Sequence, residues 1–181
     1  MVQLCAECGA PEYITAQHQW LNNGDIIIRG KPQNRIVFIE SENLDPLFRG
    51  IGNIIGVPIE HLVTAAARRA YRSYFLAFIP EDLKKKILSK EIDYNVVTRF
   101  FDDVSILMGQ GKYEEIEIRY EQDDDDCDVD IVKELYYLLF NLAAHAAIIE
   151  ALTDRTQDVT YEEIAPNEYR DKVFRPPTWR N

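Results

Sequence analysis

The sequence predicts an α+β fold in which several long helices pack on an antiparallel sheet. Three observations predict it. Alternating, β-branched stretches gather near the two ends of the chain, and three runs with apolar residues at helical spacing fill the middle. The chain's 181 residues, 46% of them hydrophobic, suffice for one core without disulfides. Residues 1–181 are therefore read as a single domain, with 1–11 as a short N-terminal segment carrying a Cys-x-x-Cys motif.

The first elements form a meander. Tyr13 to Trp20 mixes aromatic and β-branched residues with polar ones, as a half-buried strand does. Asn22-Asn23-Gly24 is a hairpin signal, because the tight turn needs positive φ, and Ile26-Ile27-Ile28 is the return strand. Lys31-Pro32-Gln33-Asn34 breaks the chain, and Arg35 to Glu40 reads as a third strand.

Helices follow. Asp45-Pro46 combines an N-cap carboxylate with proline at the first helical position, and Gly56 ends that helix. The next runs from about Ile59 to Phe78 with a stripe of Ile59, Leu62, Val63, Ala66, Ala70, Ser73, Tyr74 and Ala77, and stops at Pro80. Glu81 to Ser89 is a short basic helix. Val96, Val97, Phe100, Phe101, Val104, Leu107 and Met108 mark another amphipathic helix, ended by Gly109-Gln110-Gly111. Tyr113 to Tyr120 alternates as a strand, Glu121 to Asp130 reads as an acidic loop, and Ile131 to Leu152 is the longest helix. Val159 to Ile164 and Tyr169 to Phe174 close the chain as a strand pair around Pro166-Asn167.

The formal charge is −11, from 31 acidic and 20 basic residues. That balance opposes binding by phosphate neutralisation or attraction to anionic lipid, so neither nucleic acid nor membrane is expected as a partner. Three cysteines do not make a disulfide framework, no signal sequence opens the chain, and no window approaches ~18 uninterrupted apolar residues. A reducing, cytoplasmic setting is expected.

Four features carry potential chemistry. Cys5-Ala-Glu-Cys8-Gly9 has the spacing of a metal knuckle, which suits zinc or an iron–sulfur cluster. His18 is a candidate third ligand and Cys127 a fourth, or a second chain supplies the other thiol pair across a two-fold axis. Against this stand two unligated thiols. The run Asp123 to Asp130 could hold a hard cation, but it lacks the glycine and closing glutamate of a calcium loop, and a solvated loop ahead of a helix is the plainer reading. His145 falls on the apolar face of the longest helix, as a metal ligand, a polar handle in a pocket, or a core histidine bonded to one neighbour. The helix faces themselves can line an apolar pocket or simply pack. No Ser/His/Asp or Cys/His pairing and no phosphate loop is legible, which points to binding rather than catalysis.

Several stretches together resemble a known family. They are Cys5-x-x-Cys8-Gly9-x-Pro11, Trp20-x-x-x-Gly24-x-Ile26, Phe38-Ile39-Glu40, Leu47-Phe48-x-Gly50-Ile51, Gly56-x-Pro58-Ile59-Glu60-His61 and Val159-Thr-Tyr-Glu-Glu-Ile164. They are similar to bacterial hydrocarbon-binding, 4-vinyl-reductase-like domains, a superfamily that includes haem nitric-oxide sensor domains and vesicle-transport subunits. The resemblance implies an apolar ligand pocket enclosed by helices and sheet, a homodimer, and a sensing or ligand-delivery role. It does not imply haem, because Ser105 stands where the haem relatives place a histidine. The C-terminal cysteines of the reductase-like domains are also missing, since no cysteine follows Cys127.

The leading expectation is a non-enzymatic, dimeric domain that binds or senses an apolar small molecule, with Phe48, Tyr74, Phe101, Leu142 and His145 lining the pocket. The alternatives are a zinc-dependent protein with Cys5, Cys8 and His18 as ligands, and a protein–protein interaction module whose helices bury a partner surface.

Overall fold

The computed structural model describes residues 3–7, 9–119 and 127–176, with the backbone alone at 13, 34, 78, 118 and 119. Cys8, most of the acidic run and the C-terminal 177–181 lie outside the described residues. The architecture is α+β, as predicted, with two antiparallel sheets and six helices among the described residues.

The first sheet is the expected meander, β1 (His18–Trp20), β2 (Ile26–Ile28) and β3 (Lys31–Ile36). Its hairpin turns at Gly24, φ 87°, where Leu21 N–H donates to the Asp25 carbonyl. Two boundaries differ from expectation. Residues Glu12–Gln17 form a helical turn, α1, rather than the start of the strand. The third strand begins at Lys31 and ends at Ile36, because Gly30 (φ 79°) makes the turn and a register shift at Ile27/Ile28 accommodates the proline segment. Val37, Phe38 and Ile39 are thereby left outside the sheet and exposed.

After a 3-10 turn at Ser41–Asn43 come α2 (Leu44–Ile55), α3 (Glu60–Phe78), α4 (Glu81–Leu88) and α5 (Tyr94–Leu107). Gly56, left-handed at φ 80°, ends α2 as its C-cap. Asp45 falls inside α2 and pairs with Arg49 one turn on, rather than capping the helix. Asp93 does cap α5, accepting from Asn95 N–H at 3.0 Å.

The buried face of α3 is rotated from the expected stripe. Val63, Phe75 and Ile79 are buried with Ala67, Arg68 and Tyr71 between them, while Leu62, Ala66, Ala70 and Ser73 face outward. Two polar tips on the inner face find partners: Arg68 meets Glu150, and Tyr71 Oη bonds Tyr136 Oη at 2.5 Å. Val96 and Phe100 of α5 are likewise exposed.

The second sheet holds β4 (Lys112–Arg119), β5 (Cys127–Lys133), β6 (Asp158–Ala165) and β7 (Glu168–Phe174) in the order β4-β5-β7-β6. Here lies the main correction. Asp128 and Asp130 do not belong to a solvated loop; they belong to β5, a central strand, and are buried. The long helix therefore loses its first third and becomes α6 (Leu138–Thr153). Apolar on nearly all sides, α6 lies between α3 and the sheet, with Ala143, Ala146, Ala147, Ala151 and Leu152 fully buried.

Between α5 and β4 the chain turns at Gly111, φ 143°. A Cβ there would lie 2.9 Å from Leu135 Cδ2 and 3.2 Å from the Lys133 carbonyl oxygen. Gly111→Ala is therefore expected to cost about 1–3 kcal/mol. Urea unfolding should show a lower midpoint with an unchanged slope; an unshifted midpoint would mean this turn relaxes freely.

Candidate functional site

Helices α3, α5 and α6 and the small sheet leave a cavity of about 190 Å³ between them. Tyr71, Tyr74 and Phe75 of α3, Phe101, Val104 and Ser105 of α5, and Ala144 of α6 form three walls, and His18, Ile28 and Ile36 of the small sheet form the fourth. The wall is aromatic and aliphatic because α3 and α5 face each other there; Phe75 and Phe101 meet edge to face at 4.8 Å between ring centres. A smaller cavity of about 50 Å³ adjoins it, sharing Phe75, Phe101, Ser105 and Ala144 and extending to Asp102, Tyr113, Asp128, Asn141 and His145. The apolar space thus ends against a polar cluster.

That cluster arises from strand alternation. Asp128 and Asp130, two residues apart on β5, project to one face of the sheet, and Asp171 is the direct cross-strand partner of Asp130 on β7. All three aim at His145 of α6. His145 Nδ1–H donates to Asp171 Oδ2 at 3.1 Å, and Asn141 Nδ2 donates to the same oxygen at 3.2 Å. Tyr113 O–H in turn donates to Asn141 Oδ1 at 2.8 Å. On the other side of the ring, Nε2 lies 3.2 Å from Asp128 Oδ2 and 3.7 Å from Asp130 Oδ2, yet makes no hydrogen bond. Asp128 Oδ1 and Asp171 Oδ1 are also buried without a partner.

Burial and crowding shift these groups. Burial would lower the His145 imidazole, but the Asp171 and Asp128 carboxylates outweigh it and hold it well above its ordinary value. Burial pushes Asp130 up to about 8 and Asp102 to about 7; His145 draws both down, and the neighbouring carboxylates push them up again.

The expected pocket residues are divided by the fold. Tyr74 and Phe101 line the main cavity, and Phe101 and His145 line the small one. Leu142 is buried in α6. Phe48 lies in a separate apolar cluster with Leu44, Ile59 and Val63, stacked on Tyr137 at 5.6 Å.

Of the expected metal ligands, Cys8 lies outside the described residues. Cys5 is half-buried in a tight turn in which its carbonyl accepts from Gly9 N–H at 2.9 Å. His18 is buried against the main cavity, with Nδ1–H donating to the Ile14 carbonyl at 2.8 Å. Cys127 is buried in β5. Sequence reasoning missed Asp102, Asp171 and the inward turn of Asp128 and Asp130. The one available signal was the alternation Asp128-Val-Asp130-Ile-Val132, which marks a strand inside what reads as an acid run.

No family model and no curated protein sequence matches the chain. Among solved structures, the fold is similar to the phenol-responsive sensory domain of the transcription activator PoxR, crystallised with phenol. The TM-score is 0.63 at 10% sequence identity, over 93% of this chain and 90% of that one. The likeness is one of fold. Among the described residues, no helix is long and apolar enough to cross a membrane.

Proposed function

We propose that this chain is a sensing domain whose cavity takes a small, mainly apolar molecule, of the size of one aromatic ring bearing a polar substituent. The observation that carries this reading is the cavity between α3, α5, α6 and the small sheet. Its volume of about 190 Å³ compares with the roughly 150 Å³ apolar cavity that admits benzene in another protein. His18 offers the polar handle. Its Nδ1 hydrogen is committed to a backbone carbonyl, so in the neutral ring Nε2 is left as an acceptor for a ligand hydroxyl. That a domain of the same fold responds to phenol supports the size class.

The reading includes assembly with a second copy in a reducing cytoplasm. Leu47, Ile54, Ile55, Val57 and Leu62, along α2 and the start of α3, form an exposed apolar row, Ile54 at 88% exposure. Such a row on a domain of this size favours a self-complementary contact. The tight Cys5 turn adds a second possibility for that contact, a zinc ion shared by the thiol pairs of two chains.

Native mass spectrometry of the untagged protein tests these points together, with phenol, cresols and benzoate added in turn. A dimer taking up one phenol-sized molecule per chain is expected. A chain that takes up none of them, with no retained organic mass, would remove the sensing reading; a monomer would remove the pairing.

A further inference from the structure

We propose that Asp128, Asp130 and His145 bind a first-row divalent cation, with Asp171 holding the imidazole in place. The site is independent of what fills the apolar cavity. One oxygen from each of the two aspartates and one ring nitrogen lie within 4.8 Å of one another, the spread of donors around a single ion.

Three further features separate this set from a chance cluster of acids. The histidine is oriented: Nδ1–H is given to Asp171 Oδ2, which turns Nε2 toward Asp128 and Asp130. This is the carboxylate–histidine–metal arrangement, in which the outer carboxylate sets the tautomer and raises ligand basicity. Next, two of the candidate donor atoms are buried without a hydrogen-bond partner. His145 Nε2 and Asp128 Oδ1 have no hydrogen-bond partner, although the side chains are 9% and 5% exposed. An unbonded polar atom in such a place forfeits its hydration, which a cation would replace.

Finally, the carboxyl groups crowd one another. Asp130 and Asp171 stand directly opposite on neighbouring strands, a pairing that is repulsive by itself, and Asp128 adds a third carboxylate on the same face. One imidazolium offsets one of them. A divalent ion bound to the neutral ring and to both aspartates, with the Nε2 proton and the Asp130 proton released, offsets two.

The donor set selects the class of ion. One imidazole with carboxylates suits zinc, cobalt, manganese or iron(II), whereas calcium and magnesium prefer oxygen alone. Three protein donors leave a coordination position free, and Asp128 and His145 both border the small cavity, where water could occupy it.

The test uses the full chain carrying Cys5→Ser and Cys8→Ser, so that the N-terminal thiols cannot take the metal, stripped by chelator and titrated with cobalt(II) and zinc. One equivalent per chain is expected, with cobalt d–d bands in the visible and no thiolate charge-transfer band. Zinc should move the ¹⁵N resonance of the His145 ring and leave those of His18 and His61 in place, a readout that needs no substitution within the cluster. Asp171→Asn should weaken binding about 10–100-fold, and Asp130→Asn at least as much. His145→Cys should keep the ion and add the thiolate band. The proposal is overturned if the folded parent binds neither ion, or if binding leaves the His145 resonance unmoved and survives Asp130→Asn and Asp171→Asn unchanged.

Discussion

Arg68→Ala is expected to destabilise the protein by about 3 kcal/mol, at the low end for a broken buried ion pair because one quarter of the Arg68 side chain still meets solvent. Arg68 joins three parts of the fold. From α3 it donates to Glu150 of α6 through Nε at 3.1 Å and Nη2 at 2.5 Å, and its Nη2 also donates to the Gln157 carbonyl ahead of β6. The Glu150 carboxylate accepts Gln157 N–H as well, at 3.1 Å. Removing the guanidinium leaves a buried carboxylate without its cation and a buried carbonyl without its donor, and the second loss adds to the first. For a chain of this length the melting temperature should fall by roughly 6–12 °C. Arg68→Ala/Glu150→Leu should recover part of the loss, because no charge is then stranded. A loss below about 1 kcal/mol in denaturant unfolding would mean that water replaces the guanidinium at little cost, and that α3 and α6 are held together by apolar packing alone.

The same arginine shows why parts of the fold were hidden in the sequence. Two helix ends were legible, since Gly56 and Pro80 leave no helical continuation, whereas Asp45, expected as a cap, falls inside α2. The Asn23-Gly24 and Pro166-Asn167 hairpins were legible too, where the chain must enter positive φ. The inner face of α3 was not. It carries Arg68 and Tyr71, which a periodicity reading assigns to solvent, while the outer face carries Leu62, Ala66 and Ala70, which it assigns to the core. β5 was lost in the same way. Hydrophobic patterning assumes that charge faces water, and Asp128 and Asp130 face inward, where His145 and Asp171 meet them. The cluster joins residues from β5, α6 and β7, so no local spacing announces it. The fold class survived these errors because it rests on the number and order of periodic segments, which a rotated helix face does not alter.

Ala144→Leu is expected to lower affinity for a phenol-sized ligand at least 100-fold, about 2.7 kcal/mol, while leaving the fold intact. Ala144 projects from α6 into the wall shared by the main and small cavities. Leucine adds three carbons there and is a good helix former, so the backbone has no reason to change. The added atoms enter empty space rather than filled core, and the chain's own stability should hold or rise slightly. The ligand would have to expel them to enter. The opposite change, Phe101→Ala, enlarges the same space and should shift preference toward two-ring ligands, at about 3–5 kcal/mol of stability. Calorimetric titration of phenol into both variants separates the two ways of losing affinity. Ala144→Leu should fail with phenol and with naphthol, whereas Phe101→Ala should gain naphthol. Equal binding by wild type and Ala144→Leu would place the ligand outside this cavity. The open groove of His61, Arg68, Arg69 and Arg72 would then be the next place to look, and it would suit an anion rather than an apolar ring. Cobalt uptake at Asp128, Asp130 and His145 should persist in Ala144→Leu, because residue 144 supplies no donor atom, and the metal and the organic ligand would thereby be shown to occupy separate ends of one continuous space.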